Sequence, residues 1–292
     1  MYDFTKHTLV IHYILLYYII KCFKENDMHV ISVANKKGGV AKTSTSITME
    51  AVLRSKGFKV LHIDADPQCN GSDTYKAKIE DEYTLYDAVL ASKEERVSLS
   101  KCIQITEIGD CIPGDPQMKN ADVILAQDPI HSVTRMKAAI AQLRKDTDYD
   151  YVIIDTAPSE DTLLYNCLIA SDEVIVPTEA DRYGIQSVVN FIQMINELKE
   201  SNPDLWIAGV LITRYNKQTN LSKSIREQLT EILQGIGVDV FNTAISEGVK
   251  AKEASSLQTD LYHYARFSTP ALNYQKFVDE FLEKEKAYYE GK

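Results

Sequence analysis

Two lysines, Lys37 and Lys42, bracket the turn Gly38-Gly39-Val40-Ala41, and two hydroxyls, Thr43-Ser44, follow at once. That grouping suits the holding of a polyanion. Gly38 and Gly39 carry no Cβ, so backbone N–H groups there can turn inward and approach an anion closely. A helix starting near Lys42 adds the positive end of its dipole. Lys42 places a point charge on terminal phosphates, and the Thr43 hydroxyl is the expected ligand for Mg²⁺. Downstream stand three carboxylates. Asp64 and Asp66 lie in the string Asp64-Ala65-Asp66-Pro67-Gln68, and Asp155 precedes Thr156-Ala157-Pro158. Carboxylates at strand ends beside a phosphate-cradling turn are where a Mg²⁺–nucleotide site needs them.

These side chains need elements to aim them. The run from His29 to Asn35 is apolar and β-branched, of strand type, and delivers the turn. The helix that follows runs through Ile47, Met49, Ala51, Val52 and Leu53 and stops at Lys56-Gly57. Strand, turn and helix together make Lys36–Ser44 a P-loop, although Lys36 and Ala41 stand where the general pattern has glycines. A second strand, Phe58 to Ile63, leads into Asp64 and Asp66. Two residues apart, these aspartates share a direction only if the strand runs on past them. The continuous apolar run Tyr151 to Ile154 reads as a buried parallel strand ending in Asp155.

Elsewhere the pattern alternates. It predicts helices over 83–90 (Thr84 as N-cap), within 118–127 and 131–145, over 182–199 and 220–234, near 249–256 and over 271–287. Strands are expected over 105–112, 173–177, 206–213 and 237–241. Alternation throughout implies an α/β fold, a doubly wound, mainly parallel sheet flanked by helices. No Pro/Gly/Ser linker divides the chain from Met28 onward, so residues 28–292 are expected to form one domain. Residues 1–27 are expected to be an N-terminal extension that adds little to the fold. Their apolar run, 9–20, is shorter than the roughly 20 residues that cross a bilayer, and His12 interrupts it.

The string Lys37-Gly38-Gly39-Val40-Ala41-Lys42-Thr43 resembles the deviant Walker A motif, K-G-G-V-[GA]-K-T, of the ParA/MinD class of P-loop ATPases. D-x-D-P-Q at Asp64–Gln68 resembles switch I of that class, and Asp155-Thr156-Ala157-Pro158 resembles switch II. The chain resembles ParA-type partition ATPases of the Soj kind, without an N-terminal helix-turn-helix. The resemblance implies ATP and Mg²⁺ as cofactors, with residues 37–44 cradling the nucleotide. Thr43, Asp64 and Asp155 would serve the metal, Lys42 the phosphates and Asp66 the attacking water. Lys37 is the signature lysine, which in that family reaches across a dimer seam to the partner's nucleotide. The implied function is an ATP-dependent homodimer that binds DNA without sequence preference. With a ParB-like centromere-binding partner it would drive plasmid or chromosome partition. Such a protein is cytoplasmic, and on the nucleoid when ATP-bound.

A formal net charge of −10 argues against a generally basic nucleic-acid binder and leaves room for a local patch. Arg214, Lys217, Lys223, Arg226, Lys250 and Lys252 are the candidates for DNA contact. The segment 245–256 resembles the family's I-P-R-N-V-R-L-A-E-A-P-S, but Ser246, Glu247 and Gly248 replace Pro, Arg and Asn, and Gln218 stands where Arg is common. The alternative is a MinD-type membrane-associated spatial regulator. It needs a basic C-terminal amphipathic helix, whereas 271–287 carries Asp279, Glu280, Glu283 and Glu285, so a membrane is not an expected partner. Tyr215-Asn216-Lys217-Gln218 lacks the Asp of a guanine-reading motif. The five scattered cysteines make neither a zinc site nor an iron–sulfur seam, and Tyr288-Tyr289 is too short for a terminal tyrosine cluster.

Overall fold

Apolar residues alternate between the two faces of a single sheet, and helices must cover both. In the computed structural model, which describes residues 28–292, the seven strands are β1 (His29–Val33), β2 (Val60–Ala65), β3 (Gln104–Ile105), β4 (Asp110–Ile112), β5 (Tyr151–Thr156), β6 (Glu173–Glu179) and β7 (Trp206–Thr213). Their order is β3-β4-β2-β5-β1-β6-β7, parallel throughout except for the β3–β4 pair. This is the expected doubly wound plan. The expectation for residues 1–27 lies outside the described residues.

One face carries Val30, Leu61, Ile63, Val152 and Ile154, under α3 (Ala121–Leu125), α4 (Arg135–Asp146) and α5 (Thr162–Ala170). Next to it, α6 (Arg182–Leu198) and α7 (Asn220–Gln234) cover Val174, Val176 and Val210. The opposite face presents Ile31, Val33, Ile153 and Leu211 to α1 (Lys42–Ser55) and α10 (Thr269–Glu290). Helices α1 and α5 are buried nearly all round, while others carry one apolar stripe, as the spacing requires. In α4 that stripe is Met136, Ile140 and Leu143, all buried.

Register fixes what emerges at one end of the sheet. Val33 pairs with Asp155 across β1–β5, and Asp64 pairs with Asp155 across β2–β5. The turn after β1 and both aspartates therefore leave the sheet at one level. At the other end, His29 Nδ1 lies 3.1 Å from Glu173 and 3.1 Å from Glu285, joining β1, β6 and α10.

Three expected elements differ. Residues 105–112 are not one strand but the β3–β4 hairpin. Thr106 folds the chain, its Oγ1 accepting from Ile108 N and Gly109 N, both at 3.2 Å. Residues 83–90 hold a π-helical turn, Tyr86–Leu90, and Thr84 is not its cap. Instead Thr84 donates its N–H and hydroxyl to Asp87 Oδ2, at 2.8 and 3.1 Å. Residues 237–241 make only one parallel bridge, Val240 with Val210. There the chain dips inward to bury Phe241 over Gly209, where a Cβ would meet the ring at 2.9 Å. A short helix, α9 (Leu261–Ala265), was unforeseen; α8 (Val249–Ser256) was expected. No described helix is long and apolar enough to cross a membrane.

Phe277 is fully buried and meets the Phe241 ring edge-on, at 4.9 Å between centroids. Phe277→Ala should lower unfolding free energy by about 3–5 kcal/mol, because the sheet and α10 cannot close the hole. Urea unfolding followed by circular dichroism checks it; a loss below about 1 kcal/mol would mean that α10 is not docked as described.

Candidate functional site

The turn after β1 is shaped from below. Asn35 is fully buried; its Nδ2 donates to Pro177 O (2.8 Å) and its Oδ1 accepts from Lys37 N (3.0 Å). Gly39 has φ 79° and Ala41 φ 64°, both left-handed. Glycine adopts that region freely, while at Ala41 it strains the backbone by about 1 kcal/mol. Gly38 packs by Pro158, 3.6 Å from where its Cβ would stand. Val40 is buried, and its carbonyl accepts from Thr213 Oγ1 at 3.1 Å, which ties the turn to the end of β7. Helix α1 then opens at Lys42, with Ser44 exposed on its first turn.

Lys42 is buried, and its Nζ donates to Lys37 O across the turn at 3.2 Å. Burial pulls its pKa down, while Asp155 and Asp66 oppose that pull. The Thr43 side chain lies near enough to Asp155 to hold its pKa down in part. Ser46, one turn after Lys42, donates to Asp155 Oδ1 at 3.3 Å. Asp155 Oδ2 is buried with no hydrogen-bond partner. A carboxylate oxygen so placed beside a threonine hydroxyl is an arrangement that a hard divalent cation fits.

The other two aspartates differ in setting. Asp64 is fully buried. Its Oδ2 accepts from Ser72 N and Ser72 Oγ, both at 2.7 Å, and its Oδ1 accepts from Asp66 N at 3.1 Å. It therefore faces α2 (Asn70–Tyr75) and braces the loop between. Strand β2 ends at Ala65, so Asp66 is free to turn elsewhere. Its Oδ1 accepts from Gln68 N (2.9 Å), and the residue borders a cleft of about 720 Å³. Gly39, Lys42, Thr43, Asp66, Arg214 and Lys252 are among the residues that line that cleft.

Lys37 stands apart from this cradle. Its Nζ pairs with Asp181 Oδ2 at 2.5 Å, and Asp181 Oδ1 caps α6 by accepting from Gly184 N at 2.6 Å. Asn35, Ser46, Ser72 and Asp181 were missed in reading the sequence. Two had a signal: a lone amide closing an apolar strand, and an aspartate three residues before Gly184 at a helix start.

The six basic candidates differ in setting. Arg214 pairs with Glu179 (2.9 Å), Lys250 with Glu253 (2.8 Å) and Lys252 with Glu247 (2.9 Å). Arg226 donates to Asn242 O at 2.6 Å and lies over the Tyr215 ring. It lines, with Lys223, a second groove apart from the cleft. Lys217 and Lys223 are exposed and make no ion pair among the described residues.

A family model described as AAA domain matches residues 28–207. The chain is 30% identical over 263 residues to chromosome partitioning protein ParA of Caulobacter vibrioides, spanning 89% of this chain and 96% of that protein. Sporulation initiation inhibitor protein Soj of Bacillus subtilis is 33% identical over 233 residues, 78% of this chain and 87% of Soj. Among solved structures, a plasmid partition protein of Borrelia burgdorferi bound to AMPPNP matches with TM-score 0.69 at 29% identity, covering 90% of this chain and 100% of that one. Cobyrinic acid a,c-diamide synthase of Mycobacterium smegmatis with bound ADP and magnesium matches at TM-score 0.75 and 28% identity, over 89% and 96%.

Burial first, and Asp64 second, push the Asp155 carboxyl up to about 7. With a folded pKa above the ordinary 3.8, the folded form keeps a proton that the unfolded chain has already lost. Stability should therefore fall as pH rises from about 4 to 7. In metal-free urea unfolding, Asp155→Asn should gain on the natural protein by about 2–3 kcal/mol between pH 5 and 8. A difference that stays flat over that range would show that the carboxyl ionises freely.

Proposed function

The chain belongs to the ParA-type partition ATPases, and from that premise we propose that it binds and hydrolyses ATP with Mg²⁺ as a switch for segregating DNA. The observation that carries this reading is the convergence of Lys42, Thr43, Asp66 and Asp155 at the end of β1, β2 and β5, with Asp155 Oδ2 open beside Thr43. Residues 28–292 are the ATPase domain in this proposal.

Residues 37–44 wrap the phosphates with backbone N–H groups, and Lys42 neutralises the terminal ones. Thr43 and Asp155 would hold the metal. Bound there, Mg²⁺ would supply positive charge to the β- and γ-phosphate oxygens. Asp64, engaged by Ser72, serves the metal only through its place behind Asp155 and Asp66. Asp66 orients the water whose oxygen attacks the γ-phosphorus as the bond to the β–γ bridging oxygen breaks. The transfer needs positioning and charge more than covalent help. Turnover is slow until the loops are ordered by a partner.

Lys37 gives the switch its dimeric form. Within one subunit it points to Asp181, outside the lining of its own cleft. Across a two-fold seam it would reach the partner's phosphates, so ATP binding and dimerisation would each favour the other. The dimer would hold DNA through salt-sensitive phosphate contacts. Of the six basic candidates, Lys217 and Lys223 are the readiest donors, and the other four must first part from their present partners. A ParB-like centromere-binding protein would trigger hydrolysis and release. The protein would be cytoplasmic, and on the nucleoid in its ATP form. The membrane alternative is weakened by α10, whose Phe277 and Phe281 are buried against the sheet and so withdrawn from any lipid surface.

Sedimentation with Mg-ATP tests the switch. The natural protein should dimerise with ATP and not with ADP. Lys37→Ala should bind ATP yet stay monomeric, and Lys42→Ala should lose ATP. A Lys37→Ala protein that dimerises like the natural one would refute the cross-seam role.

Asp181→Asn keeps the cap on α6 and removes the charge that holds Lys37. Dimer affinity should then rise by up to about fivefold, the most a half-exposed ion pair of about 1 kcal/mol allows. Plasmid shift assays with ATP, ADP and Lys42→Ala protein test the DNA reading: binding that ignores the nucleotide would defeat it.

A further inference from the structure

A second charged group lies behind the site, outside the phosphate cradle. Glu50 of α1, His62 and Asp64 of β2 and Tyr75 of α2 are all buried to within 1% of full enclosure. His62 Nδ1 lies 3.4 Å from Glu50 Oε2, and the imidazole stacks on the Tyr75 ring at 4.9 Å and 21°. Both Glu50 oxygens, both His62 nitrogens and the Tyr75 hydroxyl lack an aligned hydrogen bond. Arg54, one turn along α1, comes within 3.9 Å of Glu50.

His62 and Asp64 are two apart on one strand and so share a face. A Cβ on Gly71 would stand 2.7 Å from His62 Nε2 and 2.9 Å from Asp64 Oδ2. Helix α2 can therefore sit this close only because residue 71 has no side chain, and it rests on these two groups together. Asp64 passes the constraint on. It holds Ser72, whose hydroxyl accepts from Gly114 N at 2.9 Å, and it holds the N–H of Asp66. The P-loop helix thus meets His62 through Glu50, His62 and Asp64 lie side by side under Gly71, and Asp64 bonds the loop that carries Asp66.

We propose that His62, backed by Glu50, is a positioning residue for hydrolysis: it fixes the Asp64 carboxylate, and through it the placement of Asp66. This rests on the reading of the site as an ATPase centre. A buried ion pair is a poor way to fill a core. Apolar residues of similar volume usually leave stability unchanged or raise it. Groups that break this rule beside a reacting centre are expected where the site uses them.

The test is the full chain carrying Glu50→Met with His62→Leu, apolar replacements of similar volume. The thermal midpoint should hold or rise, and affinity for a fluorescent ATP analogue should stay within about threefold. Turnover at saturating ATP should fall about tenfold, the usual effect of loosening a group one layer behind a reacting site. His62→Gln, which keeps a polar atom toward Asp64, should recover part of that turnover. Gly71→Ala, which crowds His62 and Asp64 from the other side, should also lower turnover and not affinity. Folded variants that turn over within about twofold of the natural protein would overturn the proposal. If the double variant does not fold, His62→Gln and Gly71→Ala decide by the same criterion. The underlying reading is judged separately, by whether the natural protein hydrolyses ATP and Lys42→Ala does not; if it does not, both fall.

Discussion

The structure depends on strand register. Val33 and Asp64 both pair with Asp155, so the turn after β1 and two buried carboxylates leave the sheet at one level. Asp66 follows two residues later and adds a third negative group. Against these the cradle offers Lys42, itself buried and drawn toward neutrality by that burial. Like charges brought together in a low dielectric raise each other's pKa, and Asp155 rises to about 7 by burial and then by Asp64. The apo site is thus short of positive charge. A cation between Thr43 and Asp155 would relieve that imbalance, and phosphates would then have a partner. Metal and polyanion should therefore arrive as a pair, each lessening the cost of the other.

The sheet was legible because its strands are buried on both faces and so read as unbroken apolar runs. β1, β5, β6 and β7 fall where the sequence places them, give or take two residues. β2 starts and ends two residues later than expected, which takes Asp64 into the strand and leaves Asp66 outside it. The periphery was less legible. Over 105–112, apolar residues at both ends hide a turn that depends on the Thr106 hydroxyl. At 83–90, Thr84 has the composition of a cap, but Asp87 is the acceptor and Thr84 the donor. Local propensity cannot settle which of two polar partners receives the bond. Residues 237–241 look like a strand because Val238, Val240 and Phe241 are apolar. Their burial is met by packing on Gly209 and not by a ladder.

The site divides the same way. Residues 37–44, Asp66 and Asp155 are recognisable from type and spacing because chemistry limits both. Asp181 is 144 residues from Lys37 and Ser72 is 8 from Asp64; Ser72 bears no mark of its own, and the mark Asp181 bears is that of a helix cap, not of a partner for Lys37. Such partners are set by the crossing of elements, which a linear pattern does not contain. Glu50 and His62 are the plainest case. Each reads as an unremarkable polar residue in an apolar segment, and only the packing of α1 on β2 shows that they meet.

The arrangement of ion pairs reconciles an acidic protein with the polyanion-binding role proposed for it. Lys37, Arg214, Lys250 and Lys252 are each held by a neighbouring carboxylate: Asp181, Glu179, Glu253 and Glu247. All four pairs are partly solvent-exposed, so each contributes about 1 kcal/mol at most. A phosphate offers a lysine or arginine a charge-assisted contact of the same kind. The carboxylates therefore do not cancel the basic groups; they set a threshold. One isolated phosphate gains little by displacing one acid. Several phosphates displacing several acids together gain much more, because the chain's ordering is lost only once. Weak intramolecular pairing of this kind favours a long polyanion, or a second subunit bringing its own nucleotide, over scattered small anions. Glu247, which departs from the family's basic segment, fits that logic: it raises the threshold at Lys252 without removing the lysine.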